Sequence, residues 1–349
     1  MSRRPGTTRR QAAAAERRRR VWPFRSPLDP RGLVYLMRLH LDALGVRGYS
    51  ERTLGACEWS LSDFILWCQE RDLMRAQEIT KPILERYQRM LFYARKEDGK
   101  PLTLTTQHTR LVFIKQFFRW LTKENYILSN PASGIELPKV EKRLPKHVLT
   151  AQEAELVIAQ ADVERPIGIR DRAILETLYS TGIRRRELSS IRLFDLDSDR
   201  GTMMVRQGKG RKDRLIPIGE RAAAWVEKYL REVRPSFAVE PDDGTLFLTH
   251  LGEPFSAHNL SYLVGRYVKA SGIPKQGGCH LFRHTMATLM LEGGADIRFI
   301  QQMLGHAKLE TTQLYTQVSI RKLKEIHTMT HPAAKLGRPE LPHESEEEP

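Results

Sequence analysis

Apolar residues recur every three or four positions through residues 31–133, which is the spacing of amphipathic helices. Thr80 followed by Pro82 adds a helix-start signal before the third stripe. The four stripes run from Leu33 to Leu41, from Leu54 to Cys68, from Ile83 to Leu91 and from Leu111 to Leu121. Four helices in about a hundred residues predict a small bundle, which ends at Asn130–Pro131.

The pattern changes after this bundle. Residues 134–147 are rich in proline and lysine and predict an extended linker. In residues 148–330, helical stripes flank two strand signals, Met203–Val205 and Leu215–Ile218, which predict a β-hairpin with a basic tip. Thr150 and Glu153 form a capping box that opens the first helix. Further helices are expected over 169–178, 185–191, 219–233, 257–270, 281–292, 295–304, 309–317 and 319–328. The fold class is therefore mainly α with a small antiparallel β-sheet.

Both ends of the chain differ in composition from its body. Residues 1–27 include the run Arg17–Arg20 without core-forming spacing, which predicts a basic flexible arm; an unselected leader is the alternative. Residues 331–349 are rich in proline and glutamate and predict a disordered acidic tail. The expected domains are thus 28–133 and 148–330.

The chain is strongly basic, with 57 Lys and Arg against 42 Asp and Glu and a net charge of +15. Residues 1–30 carry +7 and residues 333–349 carry −3, which leaves +11 on the rest of the chain. A basic body predicts a polyanionic partner, most simply nucleic acid. No apolar run reaches about 18 residues, so we expect no membrane span. The three scattered cysteines fit a reducing cytosol.

Candidate chemistry lies in cationic side chains and a tyrosine. The sequence has no P-loop, no GxGxxG after a strand, no HExxH and no paired CxxC, so we expect no metal and no cofactor. His280, Arg283 and His284 stand at i, i+3 and i+4, which places them on one side of a helical turn. Such a turn suits a phosphate.

Four motifs carry a resemblance to a known family. They are YSTGIRRREL from Tyr179, GKGRKDRLIPI from Gly208, HLFRHTMATLML from His280 and LGHAKLETTQLYTQV from Leu304. In order and spacing they resemble the tyrosine recombinase (phage integrase) family, above all its two-domain Xer-like members and the integrases of transposons and plasmids. The resemblance covers about residues 31–330 and implies a four-helix core-binding (SAM-like) domain and a catalytic domain. Phe282 stands where leucine is usual, and Arg185 and Arg186 replace less charged residues, which leaves the catalytic set complete.

The resemblance implies a role for each matching residue. Tyr315 would be the nucleophile, Arg184 and Arg283 would bind the scissile phosphate, and Lys209 would protonate the leaving 5′ oxygen. His280 would take the proton of the tyrosine, His306 would add a hydrogen-bond donor, and Glu187 would support Arg184. Apart from these matches, Arg110, Lys115 and Arg119 are expected on the exposed polar face of the fourth helix, where they would contact DNA. Contacts are also expected from Arg185, Arg186, Lys212 and Arg214, for which an ordinary solvated surface is the alternative.

These residue types suit attack on a phosphodiester. Negative charge grows on the non-bridging oxygens, and arginine offers them a bidentate, permanently charged fork. A tyrosine with a pKa near 10 is a weak nucleophile until a neighbour takes its proton or cations stabilise the phenolate.

The implied activity is site-specific DNA recombination through a 3′-phosphotyrosyl intermediate and a Holliday junction. The implied partners are double-stranded DNA with an inverted-repeat core site and further subunits of a homotetramer, some of which a paralogous recombinase could replace. A helix over 319–328 would dock into a neighbouring subunit; packing on its own domain is the alternative. The protein is expected in the cytoplasm, associated with the nucleoid. Two other activities stay open, a topoisomerase-IB-like enzyme and a non-catalytic DNA-binding protein.

Overall fold

The computed structural model describes residues 23–25, 28–140, 147–206, 213–306 and 312. The chain divides into two compact units between Lys142 and Arg143. The described parts of both are mostly helical and the second also has a small antiparallel sheet, so the predicted fold class is confirmed. Within these ranges, no helix is long and apolar enough to cross a membrane, and no group of His, Cys, Asp or Glu side chains could hold a metal ion.

The first unit is a bundle around one hydrophobic core. Its helices are α1 (Leu33–Val46), α2 (Glu51–Gln69), α3 (Lys81–Tyr93) and α4 (Leu104–Lys123). Ser50 caps α2 by accepting from the amide of Thr53, and Thr103 caps α4 in the same way. All four predicted stripes face the core, in which Phe64 and Tyr87 are fully buried.

Both edges of this unit extend further than the sequence predicts. Phe24, assigned to the flexible arm, packs against the core, and the backbone of Arg25 exchanges two hydrogen bonds with the amide side chain of Gln69. Ile135, assigned to the linker, is buried in the same core, and Leu137 packs against it. Isolated apolar residues show no periodicity, so the sequence pattern gave no sign that these residues join the core.

The second unit is built around a long buried helix, α6, with shorter helices packed on it. The helices are α5 (Ala151–Ala159), α6 (Pro166–Thr181), α7 (Arg185–Leu188), α8 (Glu220–Glu232), α9 (Arg234–Phe237), α10 (Ala257–Ala270), α11 (Cys279–Glu292) and α12 (Ile297–Leu304). The capping box of Thr150 and Glu153 is confirmed at the start of α5.

The sheet has three antiparallel strands in the order β1 (Leu196–Asp197), β2 (Thr202–Val205) and β3 (Arg214–Pro217). The predicted hairpin is confirmed, with Met203 opposite Ile216 and both side chains buried. The sequence missed β1, since two residues are too few for an alternating pattern. Pairing with Val205 places Arg214 at the hairpin end of β3.

Several predicted features lie outside the described residues. They are the basic arm up to residue 22, the hairpin tip with Lys209 and Lys212, the helices over 309–317 (Thr312 apart) and 319–328, Tyr315, and the acidic tail.

Candidate active site

Two helices of the second unit end at glycines in the left-handed conformation. Gly182 closes α6 with φ 58°, and Gly305 closes α12 with φ 60°. A side chain would be strained at such a position, and a Cβ on Gly182 would lie 2.1 Å from Cε of Met286. The end of a helix leaves its last carbonyls without partners inside the helix, so these oxygens can accept from other side chains.

Three successive carbonyls at the end of α12 bind three different arginines. Met303 O accepts from Nε of Arg214 (2.9 Å), Leu304 O from Nη2 of Arg283 (2.8 Å) and Gly305 O from Nη2 of Arg184 (3.0 Å). A helix C-terminus carries partial negative charge, which favours cations. One helix end therefore gathers guanidinium groups from β3, from α11 and from the turn between α6 and α7.

Arg283 is buried and also binds the imidazole of His306. Its Nη1 donates to Gly182 O (2.8 Å), and its Nη2 lies 2.9 Å from Nε2 of His306. A guanidinium can only donate, so Nε2 is the acceptor and the neutral ring carries its proton on Nδ1. That nitrogen donates to Oγ1 of the buried Thr312 (2.9 Å). His306 was predicted as a donor to phosphate, whereas here its Nε2 accepts from Arg283.

Glu187 is a buried carboxylate that holds two arginines. Oε1 accepts from Nη1 of Arg184 (2.7 Å) and of Arg214 (3.0 Å), while Oε2 accepts from Nη2 of Arg214 (2.7 Å) and the amide of Arg184 (2.9 Å). Burial alone would raise the pKa of Glu187, but hydrogen bonds from Arg214 and from the backbone of Arg184 lower it to about 2. The structure thus brings Glu187 to Arg184, as predicted, and adds a second cation.

The two histidines of the HLFRH motif differ in environment. His280 is the more exposed of the two, and its ring centroid lies 6.5 Å from that of the half-buried His284. Partial burial lowers the pKa of His280, and the charges of Arg283, Arg185 and Arg184 lower it further. Burial, with the charges of His280 and Arg283, lowers the pKa of His284 to about 4. Both rings are neutral near pH 7, and a neutral imidazole can accept a proton.

The prediction that Arg110 lies on an exposed face of α4 is wrong. Arg110 is buried, its Nη1 lies 2.8 Å from Oδ2 of Asp63, and its guanidinium stacks on Trp59 at 4.1 Å. The same oxygen of Asp63 accepts from the hydroxyl of Tyr87 (2.8 Å). Arg110 stands four residues before Ile114 and seven before Phe117, so helical spacing places it on the buried face of α4.

Other predicted DNA contacts are partly engaged within the protein. Lys115 is half-buried and donates to two carbonyls of residues 133–135, and Nη1 of Arg185 lies 3.1 Å from Oγ of Ser261. Arg119 and Arg186 are exposed. Of the whole predicted set, Lys209, Lys212 and Tyr315 lie outside the described residues.

Sequence reasoning missed Thr312 and the binding of Arg214 to Glu187. A threonine within a helical stripe gives no sign of a partner, and an arginine beside other cations suggests phosphate contact. A glycine after a helix is typical of a helix end, but it does not indicate which side chains bind the carbonyls there.

Comparisons with known proteins show the family to which this chain is similar. A model of the phage integrase family matches residues 147–321. Tyrosine recombinase XerC 2 of Ralstonia nicotianae is 49% identical over 314 residues, which cover 89% of this chain and 90% of the relative. The XerH site-specific recombinase bound to palindromic difH substrate, a post-cleavage complex, has a TM-score of 0.65 and 22% identity over 84% of each chain. A lambda integrase tetramer bound to a Holliday junction has a TM-score of 0.61 and 20% identity over 87% of this chain and 80% of the other.

Proposed function

Because this chain belongs to the phage integrase family and is a site-specific tyrosine recombinase, we propose that Arg184, Arg283 and Tyr315 form the centre of its active site. The observation that carries this proposal is that Arg184 and Arg283 bind adjacent carbonyls at the end of α12. Two guanidinium groups fixed side by side can bind the non-bridging oxygens of one phosphate. Donors aimed at such developing charge are each worth about 3 kcal/mol.

The proposed reaction exchanges one phosphoester bond for another. The phenolic oxygen of Tyr315 attacks the phosphorus, the bond to the 5′ oxygen breaks, and a 3′-phosphotyrosyl bond forms. The phenolic proton passes to neutral His280, and Lys209 gives a proton to the leaving 5′ oxygen. Attack by a 5′ hydroxyl of the partner strand reverses these steps. The bond energy is conserved, so rejoining needs no nucleotide cofactor.

We assign His306 to the orientation of Arg283. Its Nε2 accepts from that arginine and its Nδ1 donates to Thr312, so both ring nitrogens are engaged. Donation from Nε2 to phosphate would require a protonated ring or the other neutral tautomer, and either would remove the bond that Nε2 accepts from Arg283. Among the other predicted contacts, the exposed Arg119 and Arg186 are the best candidates for the DNA backbone.

The proposed substrate is double-stranded DNA with an inverted-repeat core site, recombined by a homotetramer through a Holliday junction. Similarity of fold supports this assembly, since the XerH complex contains a palindromic substrate and the lambda integrase complex is a tetramer on a junction. Residues 319–328 would connect neighbouring subunits. A protein acting on bacterial DNA would work in the cytoplasm, at the nucleoid. No observation favours the topoisomerase-like or non-catalytic alternative.

The test is covalent capture on a nicked suicide duplex carrying the inverted repeat, which releases a short 5′ fragment and traps the intermediate. We expect the unsubstituted protein to give a protein–DNA adduct on a denaturing gel. Tyr315→Phe should bind the duplex with unchanged affinity and give no adduct, because the variant lacks only the attacking oxygen.

Tyr262→Phe is the matched control, since Tyr262 is an exposed tyrosine of the same unit and its substitution should leave the adduct intact. An adduct of undiminished yield with Tyr315→Phe would place the nucleophile elsewhere. Absence of any adduct with the unsubstituted protein, despite specific binding, would refute the proposed chemistry.

A further inference from the structure

Arg214 directs its planar guanidinium to the protein rather than to solvent. Its side chain is 13% exposed, and both terminal nitrogens bind the carboxylate of Glu187. Its Nε binds Met303 O, at the same helix end that holds Arg184 and Arg283. This is the geometry of a bidentate structural pair, not of a cation presented to DNA.

We propose that Arg214 is a positioning residue that prepares Arg184 for the phosphate through Glu187 and the end of α12. The inference deepens the proposed function and rests on it. Arg214 itself need not touch the DNA.

Electrostatics favour this role for Arg214. A buried Glu187 paired with Arg184 alone would cancel the charge that Arg184 has to offer a phosphate. With Arg214 on the same carboxylate, the three groups carry a net charge of +1, and Glu187 is shared between two cations. Charge interactions are stronger in a poorly hydrated site, so this sharing keeps Arg184 effective as a cation.

The position of Arg214 in the fold favours the same role. Arg214 begins β3, Glu187 lies on α7, and Met303 lies on α12, so one side chain ties three elements together. Gly305 makes room for it: a Cβ there would lie 3.1 Å from both Nε and Nη1 of Arg214. The glycine that ends α12 thus also admits the guanidinium.

The experiment compares Arg214→Gln, Glu187→Gln and the double variant in single-turnover cleavage of the suicide duplex, with duplex affinity measured over a range of salt concentrations. We expect Arg214→Gln to slow adduct formation by about tenfold or more, with affinity within about twofold and an unchanged salt slope. In the Glu187→Gln background, the Arg214 substitution should cause little further slowing, because the two residues act as one unit.

A pH profile adds a readout that simple destabilisation would not move. Without Arg214, the pKa of Glu187 should rise from about 2. Cleavage by Arg214→Gln should therefore fall more steeply in acid than protonation of His280 alone explains, whereas Glu187→Gln, which cannot be protonated there, should show only the His280 decline. Arg214→Lys, which keeps the charge but not the fork, should cleave at an intermediate rate. If Arg214→Gln unfolds below the assay temperature, the same comparison can be made with Arg214→Lys.

Arg234→Gln is the matched control. Arg234 is buried, binds Asp242 through both terminal nitrogens and also binds backbone carbonyls, but none of its partners belongs to the site. Arg234→Gln should lower the melting temperature. It should leave the cleavage rate of the folded protein, and the pH dependence of that rate, unchanged.

Three results would overturn the inference. One is normal cleavage by Arg214→Gln. Another is weaker binding with a salt slope reduced by about 1, which would mark a phosphate contact. The third is a double variant whose cleavage is slowed by the product of the two single-variant factors, which would show that Arg214 and Glu187 act independently. Failure of the proposed function would appear separately, as absence of the adduct in the unsubstituted protein or its persistence in Tyr315→Phe.

Discussion

Nδ1 of His306 lies 2.9 Å from Oγ1 of Thr312, and this bond holds the ring with Nε2 toward Arg283. Thr312 is fully buried, so its hydroxyl has little access to water. It also stands three residues before Tyr315 in the sequence. The imidazole therefore connects an arginine of the proposed phosphate site with Thr312, which precedes the proposed nucleophile in the sequence.

Removal of this hydroxyl should slow cleavage without weakening DNA binding. Thr312→Val leaves Nδ1 of His306 without its acceptor, so the ring loses its fixed orientation and Arg283 loses an ordered partner. We expect single-turnover adduct formation to fall by about tenfold, as an order-of-magnitude value for a lost buried hydrogen bond. Thr312→Ser keeps the hydroxyl and should stay close to the unsubstituted rate. Equal rates for the valine and serine variants would show that the bond has no part in cleavage.

The pH dependence of cleavage should respond to Arg185. In the proposed mechanism cleavage requires neutral His280, whose pKa is lowered by burial and by the charges of Arg283, Arg185 and Arg184. The rate should therefore hold as the pH falls to 6.5 and decline only below it. Arg185→Met removes one like charge, so the pKa of His280 should rise and the decline should begin at higher pH. Arg186→Met, at the exposed neighbouring position, is the control and should leave the pH dependence of cleavage unchanged. Identical pH dependence in both variants would contradict the role of His280 as the proton acceptor.

Stability of the first unit should fall in acid because of His40. This ring is buried between Phe117 and Trp120, and neither of its nitrogens has a hydrogen-bond partner among the described residues. Burial, with a contribution from Arg47, lowers its pKa from 6.5 to about 4. The folded state thus favours the neutral ring. The contribution of neutral His40 to the free energy of unfolding is complete above pH 6.5 and is lost as the pH falls toward 4.

Protonation of His40 lowers the free energy of unfolding by at most about 3 kcal/mol. His40→Leu should remove this part of the pH dependence, measured by urea unfolding of the full chain between pH 4 and 7.5 and followed by tryptophan fluorescence. An unchanged slope in His40→Leu would assign the acid sensitivity to other groups.

A close approach at the start of α6 should make Gly168 intolerant of any side chain. A Cβ there would lie 1.7 Å from the carbonyl oxygen of Asp162, which is backbone and cannot rotate away. Gly168→Ala should cost about 3 kcal/mol of unfolding free energy. A Cβ on Gly55 in α2 would have no atom within 4 Å, and Gly55→Ala should stabilise by about 0.5–1 kcal/mol. Thermal melts of the two variants should shift in opposite directions, and a small shift for Gly168→Ala would contradict the close approach.

The sequence by itself determined most of the secondary structure and the family. The apolar stripes of α1 to α4, the capping box at Thr150 and the hairpin of β2 and β3 are local patterns, set by neighbours a few residues apart. The four motifs, whose order along the chain is itself a sequence property, identified the recombinase family and therefore the chemistry to expect.

Only the tertiary structure decided which partner each cation binds. Arg110 and Arg214 both stood in the sequence as cations for DNA, yet one binds Asp63, 47 positions away, and the other binds Glu187, 27 positions away. Arg184 reaches across 121 positions to Gly305 O. Such contacts depend on where whole elements pack, and neither charge nor periodicity encodes the distance between residues that are far apart in the chain. A helix end became the organising point of the site because its carbonyls had no partners within the helix, and only the folded unit brings three arginines to it.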